Sequence, residues 1–357
     1  MILDELLQGP QYAAAQAEKE RRLLPGFIAL TRHHVEHCPA YAKVVRLTAP
    51  DFENANRLED LPFLPVGLFK THRLQSIPDT DRHTILTSSG TTGQAVSRIV
   101  IDDITAKYQA RALAAVMREA FGGKRLPLLL IESETVLENR RELNARAAGA
   151  LGFMTFGQAP VFALDASMRL KKDVIAAFLE QYSGSPFLIF GFTFMIWRYF
   201  QQDIAGFDCR TGILVHSGGW KKLESEAVDN AAFRAALTKS CGVTKIYNFY
   251  GMAEQIGTAL LEGEDGFLYP PAFGDVIIRD PRDWRALPPG TPGIVQMLSL
   301  IPHSYPGHSI LTEDEGVVMH IDAGKGDRMG KAVRILGRAP KAELRGCGDI
   351  HAFGAAA

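Results

Sequence analysis

Five hydroxyl side chains and two glycines crowd into the segment Thr87-Ser88-Ser89-Gly90-Thr91-Thr92-Gly93. Glycine lets backbone N–H groups approach a ligand closely, and hydroxyls donate to phosphate oxygens, so this stretch could wrap the phosphates of a nucleotide. The apolar runs Thr84-Ile85-Leu86 before it and Ile99-Val100-Ile101 after it read as strands. A flexible linker has the same composition, but linkers rarely join two buried strands. On these residues alone, a phosphate cradle and a plain turn are equally good readings. Two further segments hold reactive side chains. His33, His34, His37 and Cys38 resemble a ligand cluster, with His33 and His37 on one helix face. No further ligands follow in a zinc pattern, so a helix end stopped by Pro39 is the preferred reading. Cys347 lies between Gly346 and Gly348, which would make its thiol mobile, and Arg345 would favour the thiolate. A packed, unreactive cysteine is the competing reading there.

The elements that must position these groups follow from periodicity. Residues 10–46 read as helical, with Leu23, Phe27, Leu30 and His34 near helical spacing. A helix is expected over 105–121, opened by Asp102 or Asp103 and closed by Gly122-Gly123. Strands at 126–131, 187–190, 213–216 and 243–247 alternate with helices at 139–149, 167–182 and 224–240. Short continuous apolar strands alternating with helices predict a parallel or mixed sheet buried on both faces. Ligands of such sheets gather beyond the carboxyl ends of the strands. Gly218-Gly219-Trp220 and Tyr250-Gly251 both follow strand ends, which predicts one crevice. From about Gly266 prolines and glycines punctuate short strand candidates at 276–278, 293–298 and 317–321, the texture of a smaller β-rich subdomain.

Bulk properties bound the function. The 357 residues predict one large α/β domain or two domains. A formal net charge of -1 argues against nucleic acid as a partner. Four cysteines without close spacing argue against a disulfide framework or zinc ribbon and for a reducing cytoplasm. The N-terminus carries Asp4 and Glu5 where an export signal carries basic residues. The longest apolar run, Pro186 to Trp197, is too short to span a membrane.

Four segments then converge: Thr87 to Gly93, Tyr247-Asn248-Phe249-Tyr250-Gly251-Met252-Ala253-Glu254, Leu311-Thr312-Glu313-Asp314-Glu315-Gly316, and Leu336-Gly337-Arg338. In this order they resemble the adenylate-forming enzymes, which include acyl-CoA synthetases, firefly-type luciferases and peptide-synthetase adenylation domains. Ala253 stands where that superfamily usually has Thr, and Glu313 where it has Gly. Within it the chain is most similar to the LuxE-type acyl-protein synthetases, through Leu61 to Lys70, His216-Ser217-Gly218-Gly219-Trp220-Lys221 and its short length. The resemblance covers the chain from the helix near His33 onward.

The resemblance implies an α/β fold: an adenylate-forming N-terminal architecture of mixed and parallel sheets flanked by helices, with a smaller β-rich subdomain. The expected division is a core over 1–265, a β-rich subdomain over 266–335 and a short tail over 336–357 carrying Cys347. Only 19 residues follow Arg338, so the large mobile C-terminal domain of longer relatives, with its lysine, is not expected. The implied reaction is ATP- and Mg²⁺-dependent activation of a fatty acid as acyl-AMP, then transfer to a protein thiol, typically in a partner fatty-acid reductase. Thr87, Ser88, Ser89, Gly90, Thr91, Thr92 and Gly93 would cradle the ATP phosphates. Gly218, Gly219, Tyr250 and Gly251 would wall the adenine, with Trp220 more often core than stacking group. Asp314 would hold the ribose hydroxyls, Glu254 a Mg²⁺ ion, and Arg338 ribose or phosphate. Cys347 resembles the C-terminal cysteine proposed to accept the acyl group, whereas Cys38, Cys209 and Cys241 look structural. Lys70 and Lys221 are candidate replacement cations, although each also reads as a solvated surface lysine. The alternatives are an acyl- or aryl-CoA ligase of the phenylacetate type and a nucleotide- or acyl-binding partner that has lost catalysis.

Overall fold

A computed structural model describes residues 2–81, 83–87, 96–137, 145–220, 225–326 and 328–339. The hydroxyl-rich residues Ser88 to Gly93, Lys221 and Cys347 lie outside them. In chain order the elements begin with helices α1 (Ile2–Gln8), α2 (Gln16–His37) and α3 (Pro39–Thr48), strand β1 (Leu64–Pro65) and the single turn α4 (Leu68–Thr71). Strands β2 (His83–Thr87) and β3 (Arg98–Asp102) precede helix α5 (Asp103–Phe121). Then follow β4 (Leu126–Ser133), α6 (Ala145–Met154), β5 (Gly157–Leu164), α7 (Lys172–Gln181), β6 (Phe187–Phe192), the short α8 (Thr193–Met195), β7 (Gly212–Ser217), α9 (Asn230–Cys241) and β8 (Lys245–Tyr250). The chain ends in β9 (Leu260–Glu262), β10 (Leu268–Tyr269), β11 (Gly274–Arg279), β12 (Gly293–Ser299), β13 (Ser309–Ile321) and β14 (Lys331–Arg338).

Contacts divide this α/β chain into two compact units, the described parts of Met1–Ala115 with Gly251–Ala357, and Val116–Tyr250. The grouping differs from a linear division at 265 and 335. The C-terminal strands pack with the N-terminal helices because β1 pairs in parallel with β13, matching Leu64 to Ile310 and Pro65 to Leu311.

In the first unit, β11, β12, β13, β14, β10 and β9 are neighbours in that order, all antiparallel. β2 and β3 form a separate hairpin from His83↔Asp102 to Thr87↔Arg98. The expected helix over 10–46 is split in two. Pro39 disfavours helical backbone at the residue before it, and Cys38 is extended there with φ -125°. Leu23, Phe27, Thr31 and His34 of α2 are all fully buried, one stripe at helical spacing. A core of Tyr41, Val45, Leu64, Phe69, Ile99, Tyr305 and Ile310 joins these helices to the strands. Asp102, not Asp103, caps α5, accepting the Thr105 N–H at 2.7 Å. Gly122, with φ 78°, ends it.

In the second unit the expected parallel sheet is present, in the order β8-β7-β6-β4-β5. Leu128 to Ile131, Leu188, Ile189, Leu214 and Val215 are at most 1% exposed, as strands covered on both faces must be. Sequence patterning missed β5, because Gly157 and Pro160 interrupt its apolar run. Both fit an outer strand, where Pro leaves no ladder bond unmade. A Cβ at residue 157 would stand 2.5 Å from that of Leu128. No described helix is long and apolar enough to cross a membrane.

Candidate functional site

The second unit carries three of the four predicted adenine-side residues, Gly218, Gly219 and Tyr250. β7 and β8 run parallel, and Ser217 pairs with Phe249, so Gly218 and Tyr250 follow adjacent strands at the same carboxyl edge. Ser217 Oγ donates to Phe249 O at 2.8 Å and ties the two ends together. Gly218 adopts φ 82°, which a side chain rarely tolerates, and a Cβ there would meet Phe192 at 3.2 Å. A Cβ on Gly219 would meet nothing within 4 Å, so that position is open rather than tight. Trp220 packs edge-on against Trp197 and Phe233, which makes it part of the core cluster.

Beneath this turn lies a polar contact that sequence reasoning missed. Thr193 Oγ1 donates to Ser217 O at 3.2 Å, which uses its one hydrogen. It therefore accepts from His216 Nδ1 at 2.9 Å, and this fixes the imidazole tautomer. Burial pushes the His216 pKa down to about 3, so the ring is a neutral strut under Gly218. The one sequence signal was a polar residue closing each of two apolar strands.

The first unit holds Gly251, Glu254, Asp314 and Arg338. Gly251 follows β8, and Glu254 sits in the turn Ala253–Gln255. Tyr305 donates its hydroxyl to Glu254 O at 2.8 Å. Gln255 donates to Met297 O and Gly307 O, at 3.0 and 2.7 Å. Glu254 is only 6% exposed, yet its carboxylate makes no hydrogen bond or ion pair among the described residues. A carboxylate with no donor among the described residues is available as a cation ligand. Mg²⁺ takes one or two protein carboxylates beside phosphate oxygens, so this residue fits that ion. Burial, and after it the charge of Glu254, holds the Tyr305 phenol well above its ordinary pKa.

Asp314 and Arg338, 24 residues apart in sequence, face each other across β13 and β14. Arg338 Nε lies 3.4 Å from Asp314 Oδ1. The Thr312 hydroxyl donates to Val295 O and receives the Asp314 N–H, which sets the backbone at this point. Glu313, at the position where the superfamily has glycine, pairs with Arg338 at 2.8 Å and with Lys70 Nζ at 3.6 Å. The β1–β13 pairing is what brings Lys70 here.

Thr87 ends β2 opposite Arg98, so the hairpin brackets residues 88–97. Among the described residues, no group of three or more His, Cys, Asp or Glu is arranged to hold a metal ion. His33 instead stacks on His303, with centroids 4.0 Å apart, and the buried His34 bonds Ser76 Oγ and Pro302 O. Cys38, Cys209 and Cys241 are buried free thiols, consistent with structural roles. A second charged feature absent from the sequence reading is Glu132, 4% exposed at the end of β4 and clamped by Arg146 of α6.

Comparison with known proteins gives this geometry its context. The family model for Acyl-protein synthetase, LuxE, matches residues 2–353. A long-chain-fatty-acid–luciferin-component ligase of Aliivibrio fischeri is 22% identical over 278 residues, covering 75% of this chain and 72% of that one. One from Vibrio harveyi is 26% identical over 137 residues, 38% of this chain, and the match spans only 35% of that ligase's length. Among solved structures, 2-hydroxyisobutyryl-CoA ligase in complex with 2-HIB-AMP and CoA aligns in its open conformation with a TM-score of 0.65 and 16% identity. That alignment covers 92% of this chain and 76% of the ligase. At that identity the likeness establishes the fold alone. The family match spans nearly the whole sequence, and the chain belongs to the LuxE acyl-protein synthetase family.

Proposed function

We propose that this chain uses ATP to activate a fatty or other carboxylic acid as acyl-AMP and passes the acyl group to a protein thiol. A carboxylate oxygen attacks the α-phosphorus of ATP, the bond to the bridging oxygen breaks, and pyrophosphate leaves. A thiolate then attacks the acyl carbon, forming a thioester and releasing AMP. Both reactants of the first step are anions, so the site must neutralise and align them.

The residues divide that work. Asp314 accepts hydrogen bonds from the ribose hydroxyls, and Arg338, released from its pairing with Glu313 and Asp314, binds ribose or phosphate. Gly218, Gly219, Tyr250 and Gly251 wall the adenine. Thr87, Ser88, Ser89, Gly90, Thr91, Thr92 and Gly93 cradle the phosphates with hydroxyls and amides. Glu254 holds Mg²⁺, which when bound offsets phosphate charge. Cys347 receives the acyl group and carries it toward an acceptor protein such as a fatty-acid reductase.

The observation that carries this reading is the cross-strand pair of Asp314 and Arg338, two motif residues joined at 3.4 Å in a chain whose family match is nearly complete. The experiment is pyrophosphate release with ATP, Mg²⁺ and carboxylic acids of increasing chain length. Turnover with long-chain acids is expected, and no turnover with any acid would sink the enzymatic reading. Radiolabelled acyl transfer to the wild type but not to Cys347→Ser is expected; equal labelling, or turnover only with CoA, would remove the thiol role.

A further inference from the structure

In the first unit, α1, the loop over 9–15, the start of α2 and residues 270–272 enclose a cavity of about 210 Å³. Leu6, Pro10, Tyr12, Ala272 and Met329 give it largely apolar walls, and Glu5, Gln11, Lys19 and Arg22 also line it. Lys19 is 5% exposed and donates one hydrogen, to Pro270 O at 2.8 Å. An ammonium has three, so two are left without an acceptor among the described residues. The nearby carboxylate of Asp275 is already held by Gln16 Nε2 at 2.7 Å, Lys331 Nζ at 3.2 Å and the Val276 N–H at 2.8 Å. Arg22, on the same wall, pairs with Glu5 at 2.7 Å.

A buried ammonium with unused hydrogens, bonded to a residue of a largely apolar cavity wall, is complementary to an amphiphile with an anionic head. We propose that this cavity binds a short-chain monocarboxylate, its carboxylate accepting from Lys19 Nζ and its alkyl chain lying against Leu6, Pro10 and Met329. At roughly 30 Å³ per water-sized group, the space admits about seven heavy atoms, close to the roughly eight of hexanoate. Burial lowers the Lys19 pKa to about 8, and a carboxylate seated on the amine returns it upward. The site is independent of the activity proposed above, because none of its residues belongs to the nucleotide machinery.

Titration calorimetry of the full chain with hexanoate, without ATP or Mg²⁺, tests it. The wild type is expected to bind one equivalent, and affinity falls as pH rises through the deprotonation of Lys19. Lys19→Met is expected to bind at least tenfold more weakly. Should that variant not fold, Ala14→Phe, which fills the cavity from a half-buried loop position, provides the same test. Absence of saturable binding by the wild type would overturn the proposal. So would equal affinity in the wild type and the variants, which would seat hexanoate elsewhere.

Discussion

Mild acid should destabilise this protein through its buried histidines, and His308 is the residue on which to measure it. His308 is 1% exposed, contacts Thr31 Oγ1 at 3.0 Å through Nε2, and stacks on His34 at 4.8 Å. Its Nδ1 has no hydrogen-bond partner among the described residues. Burial lowers its pKa to about 3. In the unfolded chain the same imidazole titrates near ~6.5. The folded value is the lower one, so between the two the unfolded state binds the extra proton. The stabilisation is fully present above roughly pH 6.5 and is lost as the pH falls toward about 3. At pH 5 the loss amounts to about 2 kcal/mol. His216, in the other unit, is shifted to about 3 by the same burial and adds about 2 kcal/mol more. His34 moves in the same direction, again chiefly through burial. Asp280 and Asp208, held low by Arg282 and Arg210, lose their contribution only below roughly pH 4, and Lys19 titrates at about 8, so the window from about pH 7 to 5 isolates the histidines. The assay is urea unfolding followed by far-UV circular dichroism across that window, for the wild type and His308→Gln. The glutamine cannot take the proton, so the variant should lose about 2 kcal/mol less on acidification, whatever its stability at neutral pH. Parallel pH profiles would refute the argument.

Three further outcomes are expected. Among the described residues, Arg146→Met leaves buried Glu132 with only the Ser133 N–H as donor and should cost about 3–5 kcal/mol, with Glu132→Gln/Arg146→Met costing less; thermal melts that rank them the other way would disprove a buried pair. Gly307→Ala drives a Cβ into the Tyr305 ring and to 3.0 Å from Glu254 O, so about 1–3 kcal/mol of stability and the Mg²⁺-dependent release of pyrophosphate should fall together. Asp314→Asn weakens the proposed ribose contact and should raise the KM for ATP by about tenfold with the melting temperature preserved; an unchanged KM would remove Asp314 from the nucleotide site.

Much of this was legible in the chain itself. Unbroken apolar runs such as Leu128 to Ile131 and Ile213 to Val215 announced a sheet covered on both faces, because a two-sided burial leaves no polar alternation. Placing Gly218 and Tyr250 at strand ends needed only local pattern, and the parallel pairing of β7 and β8 put them side by side. Local signals failed where a second, stronger constraint acted. The helix end signalled by Pro39 is present between α2 and α3, whereas β5 hid behind Gly157 and Pro160, residues that an outer strand accepts.

The motif residues and their order were a property of the sequence, because each short segment binds its ligand through side chains and amides close together along the chain. Their partners were not. Asp314 meets Arg338 through the β13–β14 register, and Glu313 reaches Lys70 only because β1 lies beside β13. Lys19 acquires its cavity and unused hydrogens from α1 and from residues more than two hundred positions away. Burial and long-range register are properties of the folded chain, since both depend on which distant segments exclude water from a side chain. They decided which carboxylate stands without a donor, which lysine faces an apolar cavity, and which histidines stay neutral.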